Sequence, residues 1–283
     1  DLVCLETATG KPVWQKSLVS DFGGGIPNWG YSESPLLDGE KLVVTPGGKA
    51  STLLALNKTN GEVIWKSQVP EGDPAPYSSI IAADVNGQRE YIQFLPGGVV
   101  GVAAADGKFL WRYRQPATGI VISTPLFHDN HVFASAAYNV GGGLVKLTST
   151  PGGVSAEPVY FTKELKNKQG GMVLVGEHIF GFDDPSTLTC VEFKTGKTLW
   201  RDRSAGGNGA LTFADGHLYV RGERGTVALV EANPARYVEK SRFEQPDRSG
   251  KAAWPHPVVA GGRLYLRDQD ILLCYDVKGA AAQ

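Results

Sequence analysis

The chain has 283 residues, of which 36 are glycine and 17 are proline, and its formal net charge is −1 at pH 7. Aromatic residues contribute 10% of the sequence. This composition favours an all-β fold with many turns. The balanced charge, without a basic run, gives no support for binding to nucleic acid or to an acidic membrane surface. The longest apolar stretches are too short to cross a bilayer.

A turn followed by a strand that ends on tryptophan occurs first at residues 9–14. The motif returns at residues 60–65, 106–111 and 195–200. In every copy a glycine lies four residues before the tryptophan, and a short aliphatic strand precedes the turn. Glycine readily adopts the positive φ of such a turn, so each copy predicts a β-hairpin.

A second hairpin precedes each of these later copies, and two hairpins make one four-stranded sheet. The unit returns every ~40–50 residues, a period that is typical of propeller blades. The fold predicted is therefore an all-β propeller of four-stranded antiparallel blades, a single domain spanning residues 1–283. Two strands occupy residues 1–16 and three occupy residues 255–278; the five full blades fall at 30–67, 77–114, 122–163, 171–203 and 209–244.

The two ends of the chain do not complete one blade. Three strands at the C-terminal end need one partner, whereas the N-terminal end offers two. We therefore expect the first two strands to belong to a blade whose opening half lies upstream. Residues 279–283 are expected to form a frayed C-terminal tail.

Three cysteines occupy the third strand of three different units: Cys4, Cys190 and Cys274. We expect them to be small buried residues, because cysteines in different blades are unlikely partners for a disulfide. Their spacing indicates no metal site.

The Gly-x-x-x-Trp closure after an aliphatic strand resembles the repeat of the quinoprotein-like, PQQ-type β-propeller family. That family includes quinone-dependent alcohol dehydrogenases and non-enzymatic propellers, among them the lipoprotein of the outer-membrane β-barrel assembly machinery. The resemblance covers nearly the whole chain and implies that Trp14, Trp65, Trp111 and Trp200 dock between neighbouring blades. It also implies an intact protein of eight blades and a location in the periplasm or at the extracellular face of the cell envelope.

Candidate binding residues lie on the loops that enter each first strand and that would ring the channel mouth of a propeller. Rigid scaffolds commonly carry their binding residues on such loops. The candidate set combines exposed aromatic side chains with polar ones: Trp29, Tyr31, Glu33, Tyr77, Ser79, Thr124, Gln169, Asn208, Lys251, Trp254 and His256. The alternative is that the aromatic residues pack the inner strands against each other and that His256 makes a structural hydrogen bond.

No catalytic set is recognisable, so we expect a non-catalytic, monomeric scaffold that binds a protein partner or a carbohydrate-like ligand and holds no cofactor. The alternative is a PQQ-dependent alcohol or sugar dehydrogenase, in which Glu33 and Asn208 would lie near calcium and the quinone. The dehydrogenases of this family often carry an adjacent cysteine pair, which is absent here. Upstream blades could supply further catalytic parts.

Overall fold

The computed structural model describes residues 1–279, and within that range the chain forms 25 strands in antiparallel sheets. Five sheets have four strands, one has two and one has three, as the sequence predicts. In each sheet, strands that are consecutive in the chain are neighbours. Residues 280–283, most of the predicted tail, lie outside the described residues.

The strands of the first four sheets are β1 (Leu2–Leu5) and β2 (Pro12–Lys16); β3 (Leu36–Asp38), β4 (Lys41–Val44), β5 (Leu53–Asn57) and β6 (Val63–Ser67); β7 (Ile81–Val85), β8 (Gln88–Leu95), β9 (Gly98–Ala103) and β10 (Phe109–Tyr113); and β11 (Leu126–His128), β12 (His131–Ala136), β13 (Gly141–Thr150) and β14 (Gly153–Thr162).

The strands of the last three sheets are β15 (Met172–Val175), β16 (His178–Asp183), β17 (Thr187–Glu192) and β18 (Thr198–Asp202); β19 (Gly209–Ala214), β20 (His217–Gly222), β21 (Thr226–Glu231) and β22 (Glu239–Glu244); and β23 (Val258–Ala260), β24 (Arg263–Asp268) and β25 (Ile271–Asp276).

The chain divides into two compact units. The first comprises Asp1–Ala136 and Gly142–Phe161, and the second comprises Ala137–Gly141 and the described residues from Thr162 onward. Each unit is described below by itself, and the expectation of one domain spanning 1–283 stays a prediction.

The motif tryptophans join consecutive sheets, as expected, in three of four cases. The indole Nε1–H of Trp14 donates to the carbonyl of Lys58 (3.1 Å), that of Trp65 to Ala104 (3.2 Å) and that of Trp200 to Asn233 (2.9 Å). Each acceptor lies in the turn after the third strand of the next sheet. The tryptophan that closes one sheet therefore covers the corresponding turn of its successor.

The turn glycine is the surface on which the preceding tryptophan lies. A Cβ atom at Gly61 would lie 2.8 Å from the Trp14 ring, and one at Gly107 would lie 2.5 Å from Cε3 of Trp65. Both glycines also have positive φ, 71° and 74°. Gly61 and Gly107 thus have two roles. Each adopts the positive φ of the turn in its own sheet, and each leaves room for the tryptophan ring of the preceding sheet.

Trp111 is the exception. Its indole donates to Oε2 of Glu90 (2.7 Å), a buried residue of its own sheet. The sheet that follows has lost the motif: β13 and β14 run for ten residues each, and Tyr160 rather than tryptophan packs near Phe133. The Trp111 indole therefore bonds within its own sheet.

The hydrophobic core lies between the faces of consecutive sheets. Val43 and Leu53 of the β3–β6 sheet share one buried cluster with Tyr91 and Val100 of the β7–β10 sheet. An equivalent cluster joins the β15–β18 and β19–β22 sheets. Burial of these facing apolar surfaces is the main stabilising term for the fold.

The cysteines meet the expectation only in part. All three are free, and Cys190 is buried, but Cys4 is half-buried and Cys274 is exposed. The expectation of burial is wrong for Cys274, because side chains alternate between the two faces of β25 and Cys274 shares the exposed face with Leu272.

We expect the Gly107→Ala substitution to destabilise the protein more than Gly87→Ala. Gly87 also has positive φ (86°), but a Cβ there meets no atom within 4 Å. Both changes carry the conformational cost of alanine at positive φ, about 1–2 kcal/mol. Only the Gly107 variant also presses on Trp65, which should lower the free energy of unfolding by about 1–3 kcal/mol more. Urea denaturation of the two variants checks this, and equal losses would contradict the docking role of Gly107.

Candidate functional site

Three candidate loops of the first unit are joined by hydrogen bonds that repeat every 45 residues. The Ser34 N–H donates to Oγ of Ser79 (2.9 Å), and the Ser79 N–H donates to Oγ1 of Thr124 (3.1 Å). The Tyr77 N–H also donates to the Val121 carbonyl (2.8 Å). The hydroxyls of Ser79 and Thr124, predicted to contact a ligand, therefore connect neighbouring loops.

Two of the predicted aromatic residues come together on this rigid base. Trp29 and Tyr77 pack edge to face, with ring centroids 5.6 Å apart and planes at 65°. Trp29 keeps 61% of its surface exposed, whereas Tyr77 is half-buried. Tyr77 thus supports an indole that projects into solvent, an arrangement suited to contact with another molecule.

Tyr31 and Glu33 point into the protein. The Tyr31 hydroxyl donates to the Pro46 carbonyl (3.0 Å). The Glu33 carboxylate accepts hydrogen bonds from the N–H and the hydroxyl of Thr45 and from Nε2 of Gln93. These contacts occupy both carboxylate oxygens, so the geometry favours a structural role for Glu33.

The network around Glu33 continues through Gln93, which is fully buried. Its Nε2 donates to Oγ1 of Thr45 (2.8 Å), and its Oε1 accepts from the Ser78 hydroxyl (3.1 Å). Burial raises the pKa of Glu33 to about 7, although the hydrogen bonds from Thr45 act in the opposite direction. The pKa of Tyr31 is also raised, mainly by burial and further by the charge of Glu33.

In the second unit, Gln169 and His256 are neighbours. Nε2 of His256 lies 3.0 Å from the Gln169 carbonyl, and the imidazole edge lies over Gly171, where a Cβ atom would collide with Cε1. Desolvation by this packing lowers the pKa of His256, opposed by the hydrogen bond to Gln169. The residue still retains an exposed surface. The structure thus places His256 in the structural hydrogen bond that was the alternative expectation.

Glu223 organises the other candidates of the second unit. Its carboxylate accepts a hydrogen bond from Nε1 of Trp254 (3.2 Å), and its N–H donates to the Asn208 carbonyl (2.8 Å). Trp254 is 53% exposed, so one indole is held by its polar edge with much of its surface in solvent. Lys251 is exposed, and its N–H donates to Oγ of Ser249 (3.2 Å).

The structure also reveals a set of polar residues that sequence reasoning missed. The second strand of every described sheet with at least three strands has a buried polar side chain within two residues of its C-terminal end: Thr45, Gln93, Ser135, Asp183, Arg221 and Asp268. These residues could have been identified from the sequence, because each is a polar residue near the end of a mainly hydrophobic second strand.

Arg221 and Asp268 show why these side chains tolerate burial. Both are at most 1% exposed, and the guanidinium lies 3.6 Å from the carboxylate. Gln245 accepts from Arg221 (2.6 Å) and donates to Asp268 (3.3 Å), and the Ser249 hydroxyl also donates to Asp268. Each buried charge is therefore both paired and hydrogen-bonded, which is the condition under which buried charges persist.

Tyr138 is a second residue that sequence reasoning missed. It lies in the turn after β12 with a φ of 55°, a conformation that a bulky residue rarely adopts. Its ring is 49% exposed, and the Lys168 ammonium lies 5.2 Å from the ring centroid. The residue types around Tyr138 give no sequence signal for this contact.

Among residues 1–279, no group of three or more His, Cys, Asp or Glu side chains is arranged to hold a metal ion. The same range contains no helix with the length and hydrophobicity needed to cross a membrane. The expectation that the protein holds no cofactor stays a prediction.

We expect stability to fall as pH rises from about 4.5 to about 7. Glu33 and the buried Glu90 both have their pKa raised to about 7 by burial. In that interval the folded state retains protons that the unfolded chain has lost, so the free energy of unfolding decreases with pH and then levels off. Each shift corresponds to at most about 3 kcal/mol.

Urea denaturation from pH 4.5 to 8 measures this slope. Glu33→Gln and Glu90→Gln should each flatten it in part, and the double variant should flatten it most. A slope that neither variant changes would contradict the assignment of the raised pKa values to these two carboxyls.

Comparison with known proteins supports the repeat architecture. Tetrathionate hydrolase of Acidithiobacillus ferrooxidans is 25% identical over an alignment that covers 82% of this chain and 48% of that protein. Outer membrane protein assembly factor BamB of Burkholderia pseudomallei is 23% identical, with 94% of this chain and 76% of that protein covered. The chain thus spans about half the length of the hydrolase and about three quarters of that BamB.

The crystal structure of BamB from Moraxella catarrhalis matches with a TM-score of 0.67 and 17% identity, covering 96% of this chain and 74% of that one. At this identity the likeness concerns the fold alone, and it confirms the predicted all-β propeller class. The family model described as outer membrane protein assembly factor BamB matches residues 1–202 and 186–280. These matches confirm the resemblance to PQQ-type propellers, and the chain belongs to the outer membrane protein assembly factor BamB family.

Proposed function

We propose that this chain is a non-catalytic scaffold of the bacterial cell envelope that binds a protein partner through the loops preceding its first strands. The observation that carries the proposal is the exposed Trp29 held on Tyr77. Membership of the BamB family supports the setting, because the relatives that match over most of this chain are named outer membrane protein assembly factors.

The loops of the first unit have the properties of a preorganised protein-binding surface. The hydrogen bonds through Ser79 and Thr124 fix the loops before any partner arrives, so little conformational entropy is lost on binding. Tryptophan and tyrosine are the residue types most enriched at the energetic centres of protein interfaces. Trp29 is the anchor of this surface, and Tyr77 holds it in place.

The names of the relatives favour a partner that takes part in outer-membrane protein assembly. A periplasmic location for this chain is part of the proposal. A protein partner also suits the site better than a carbohydrate-like ligand. The polar side chains expected to orient a sugar beside Trp29 are Glu33, Ser79 and Thr124, and in the structure they are hydrogen-bonded within the protein. We also propose that the chain is a monomer.

An enzymatic function is the alternative, and the tetrathionate hydrolase relative is the observation that favours it. For the PQQ-dependent dehydrogenase, the residues do not fit a calcium-held quinone well. Both oxygens of Glu33 already accept hydrogen bonds from Thr45 and Gln93. Asn208 belongs to the second unit, where its carbonyl accepts from the Glu223 N–H.

We expect a photoreactive amino acid at position 29 to capture the partner in living cells. p-Benzoylphenylalanine in place of Trp29 should cross-link to a protein of the outer-membrane assembly process, identified by mass spectrometry. The same probe in place of Ile64, an exposed residue of β6, is the matched control and should give no such product. Cross-links only to unrelated proteins, or equal capture from both positions, would contradict the proposal.

With the captured partner purified, Trp29→Ala should weaken binding at least about 10-fold, since truncation of an aromatic interface anchor costs about 2 kcal/mol or more. Trp29→Phe should retain part of the affinity. Tyr77→Ala should weaken binding less than Trp29→Ala, because Tyr77 supports the anchor and is itself half-buried. Isothermal titration calorimetry measures all three.

Calcium and PQQ should leave the melting temperature unchanged, and dye-linked oxidation of alcohols and sugars should stay at background. A ligand that binds the folded state raises the melting temperature by linkage. A calcium-dependent rise that Glu33→Ala abolishes, or measurable turnover, would favour the dehydrogenase alternative instead.

A further inference from the structure

Two aromatic side chains of the second unit project into solvent from its loops. Tyr138 lies in the turn before β13, and Trp254 lies in the loop before β23. Each residue is about half exposed. The positive φ of Tyr138 is unfavourable for a bulky side chain, and such conformations are concentrated at functional sites. The two rings are therefore candidates for contact with another molecule.

A series of contacts connects the two rings within the second unit. The Lys168 ammonium lies 5.2 Å from the centroid of the Tyr138 ring. The next residue along the chain is Gln169, and its carbonyl lies 3.0 Å from Nε2 of His256. His256 is in turn two residues from Trp254. Tyr138 and Trp254 therefore border one surface.

The loop that carries Trp254 is fixed against the turn between β20 and β21. The Ala253 N–H donates to the Glu223 carbonyl (3.0 Å), and the Trp254 indole donates to the Glu223 carboxylate (3.2 Å). The Arg248 side chain lies over Gly225, where a Cβ atom would lie 2.6 Å from Cδ of the arginine. These contacts bring Trp254 and Arg248 to the same turn and hold them there.

Cations without an ion-pair partner surround Trp254. Arg224 lies in the turn between β20 and β21, and Arg248 and Lys251 lie in the loop before β23; all three are exposed. Among the described residues, no carboxylate lies within ion-pair distance of these three side chains. By contrast, Arg201 and Arg242 of the same unit each pair with a glutamate. Exposed cations that lack partners favour an anionic ligand.

The acidic side chains of the same turn and loop are Glu223 and Asp247. The Glu223 carboxylate accepts the hydrogen bond from Trp254. Asp247 lies near the buried hydroxyl of Tyr275, since burial raises the pKa of Tyr275 and the charge of Asp247 raises it further. Both carboxylates thus interact with groups of this chain, whereas the three cations remain available to a ligand.

We propose that an acidic segment of a partner protein binds the second unit at a surface that combines exposed rings with cations. This aromatic–basic surface consists of Tyr138, Lys168, Arg224, Arg248, Lys251 and Trp254. Carboxylates of the segment pair with the arginines, whose planar guanidinium can bind a carboxylate through two hydrogen bonds. An apolar side chain of the segment packs on Trp254.

The residue types of the aromatic–basic surface suit this ligand. Clusters of arginine are a recurrent means of recognising acidic peptide motifs. Tryptophan, tyrosine and arginine are also the residue types most enriched at the energetic centres of protein interfaces. This surface lies on the second unit, and the proposal holds whether or not Trp29 of the first unit binds a partner.

Fluorescence anisotropy with a labelled peptide tests the proposal on the whole chain. The probe is fluorescein-labelled Asp-Glu-Trp-Glu-Asp-Phe-Glu, and the matched peptide carries Asn for Asp and Gln for Glu. The acidic peptide should bind saturably and at least about 10-fold more tightly than the neutral peptide. Its affinity should fall as NaCl rises from about 0.05 M to about 0.5 M, because salt screens exposed charges. Absence of saturable binding, or equal binding of the two peptides, overturns the proposal.

Variants of the chain locate the binding. Arg224→Glu and Arg248→Glu should each weaken the acidic peptide at least about 10-fold, because each places a like charge against the ligand. Glu223→Gln keeps an acceptor for Trp254 but removes a negative charge, so it should strengthen binding. Trp254→Ala should weaken binding at least about 5-fold.

The matched control is Arg236→Glu, at an exposed arginine in the connection between β21 and β22, beyond the opposite end of β21 from Arg224. It should change affinity less than about twofold, since screening by salt limits the effect of distant charges. Equal losses in Arg236→Glu and Arg224→Glu overturn the assignment. Thermal unfolding followed by circular dichroism should give these two variants similar melting temperatures, because both positions are exposed.

Two further measurements separate this surface from the Trp29 loop and from lipid binding. Trp29→Ala should leave binding of the acidic peptide unchanged, and loss of binding would place the peptide on the Trp29 loop and overturn the proposal. Sedimentation with phosphatidylglycerol vesicles should show no binding that depends on Arg224. Vesicle binding that Arg224→Glu abolishes, without peptide binding, would assign the surface to lipid headgroups and overturn the proposal.

Discussion

The packing of consecutive sheets depends on one contact that occurs three times, in which the indole of Trp14, Trp65 or Trp200 donates to a carbonyl in the turn after the third strand of the next sheet. At two of these turns, a glycine also makes room for the ring. Neither sheet can shift without breaking both interactions. The contact therefore sets the spacing between consecutive sheets, and the facing apolar side chains complete their core within that spacing.

The buried polar residues at the ends of the second strands have a different effect. Apolar packing between sheets is tolerant of small sliding movements, whereas a buried hydrogen-bond network loses several partners at once when it slides. The Glu33–Thr45–Gln93 network ties the β3–β6 sheet to the β7–β10 sheet near their loop ends. The network of Arg221 and Asp268 does the same for the last two sheets. These networks hold the loop-bearing ends of the sheets in a fixed register.

The sequence was sufficient to predict the number, order and approximate boundaries of the sheets, because each depends on local hairpin signals and on one period. The resemblance to the PQQ-type propeller family implied the docking of Trp14, Trp65 and Trp200, which the structure shows. The sequence could not predict the inward bond of Trp111, which depends on Glu90, twenty-one residues away. Nor could it distinguish loop residues that hydrogen-bond to a neighbouring loop from loop residues whose side chains stay available for contact with a ligand.

The candidate loops illustrate that last point. Ser79 and Thr124 have the residue types of a binding site, and their hydroxyls accept hydrogen bonds from the neighbouring loops. Trp29 and Trp254 have the same residue type as the motif tryptophans, and yet each leaves more than half of its surface exposed. Spacing along the chain distinguishes motif tryptophans from loop tryptophans, but exposure is a tertiary property that only the packed loops reveal.

The links through Ser34, Ser79 and Thr124 also constrain how this family member can change. Each lies two residues before the first strand of its sheet, so an insertion between hydroxyl and strand would shift the acceptor out of reach of the adjacent loop. Extra residues can be accommodated only upstream of each of these residues, in the part of the first loop that contains Trp29 and the part of the second loop that contains Tyr77. Changes in the length of these loops are thus confined to their upstream part, while the stretch between each hydroxyl and its strand stays at constant length.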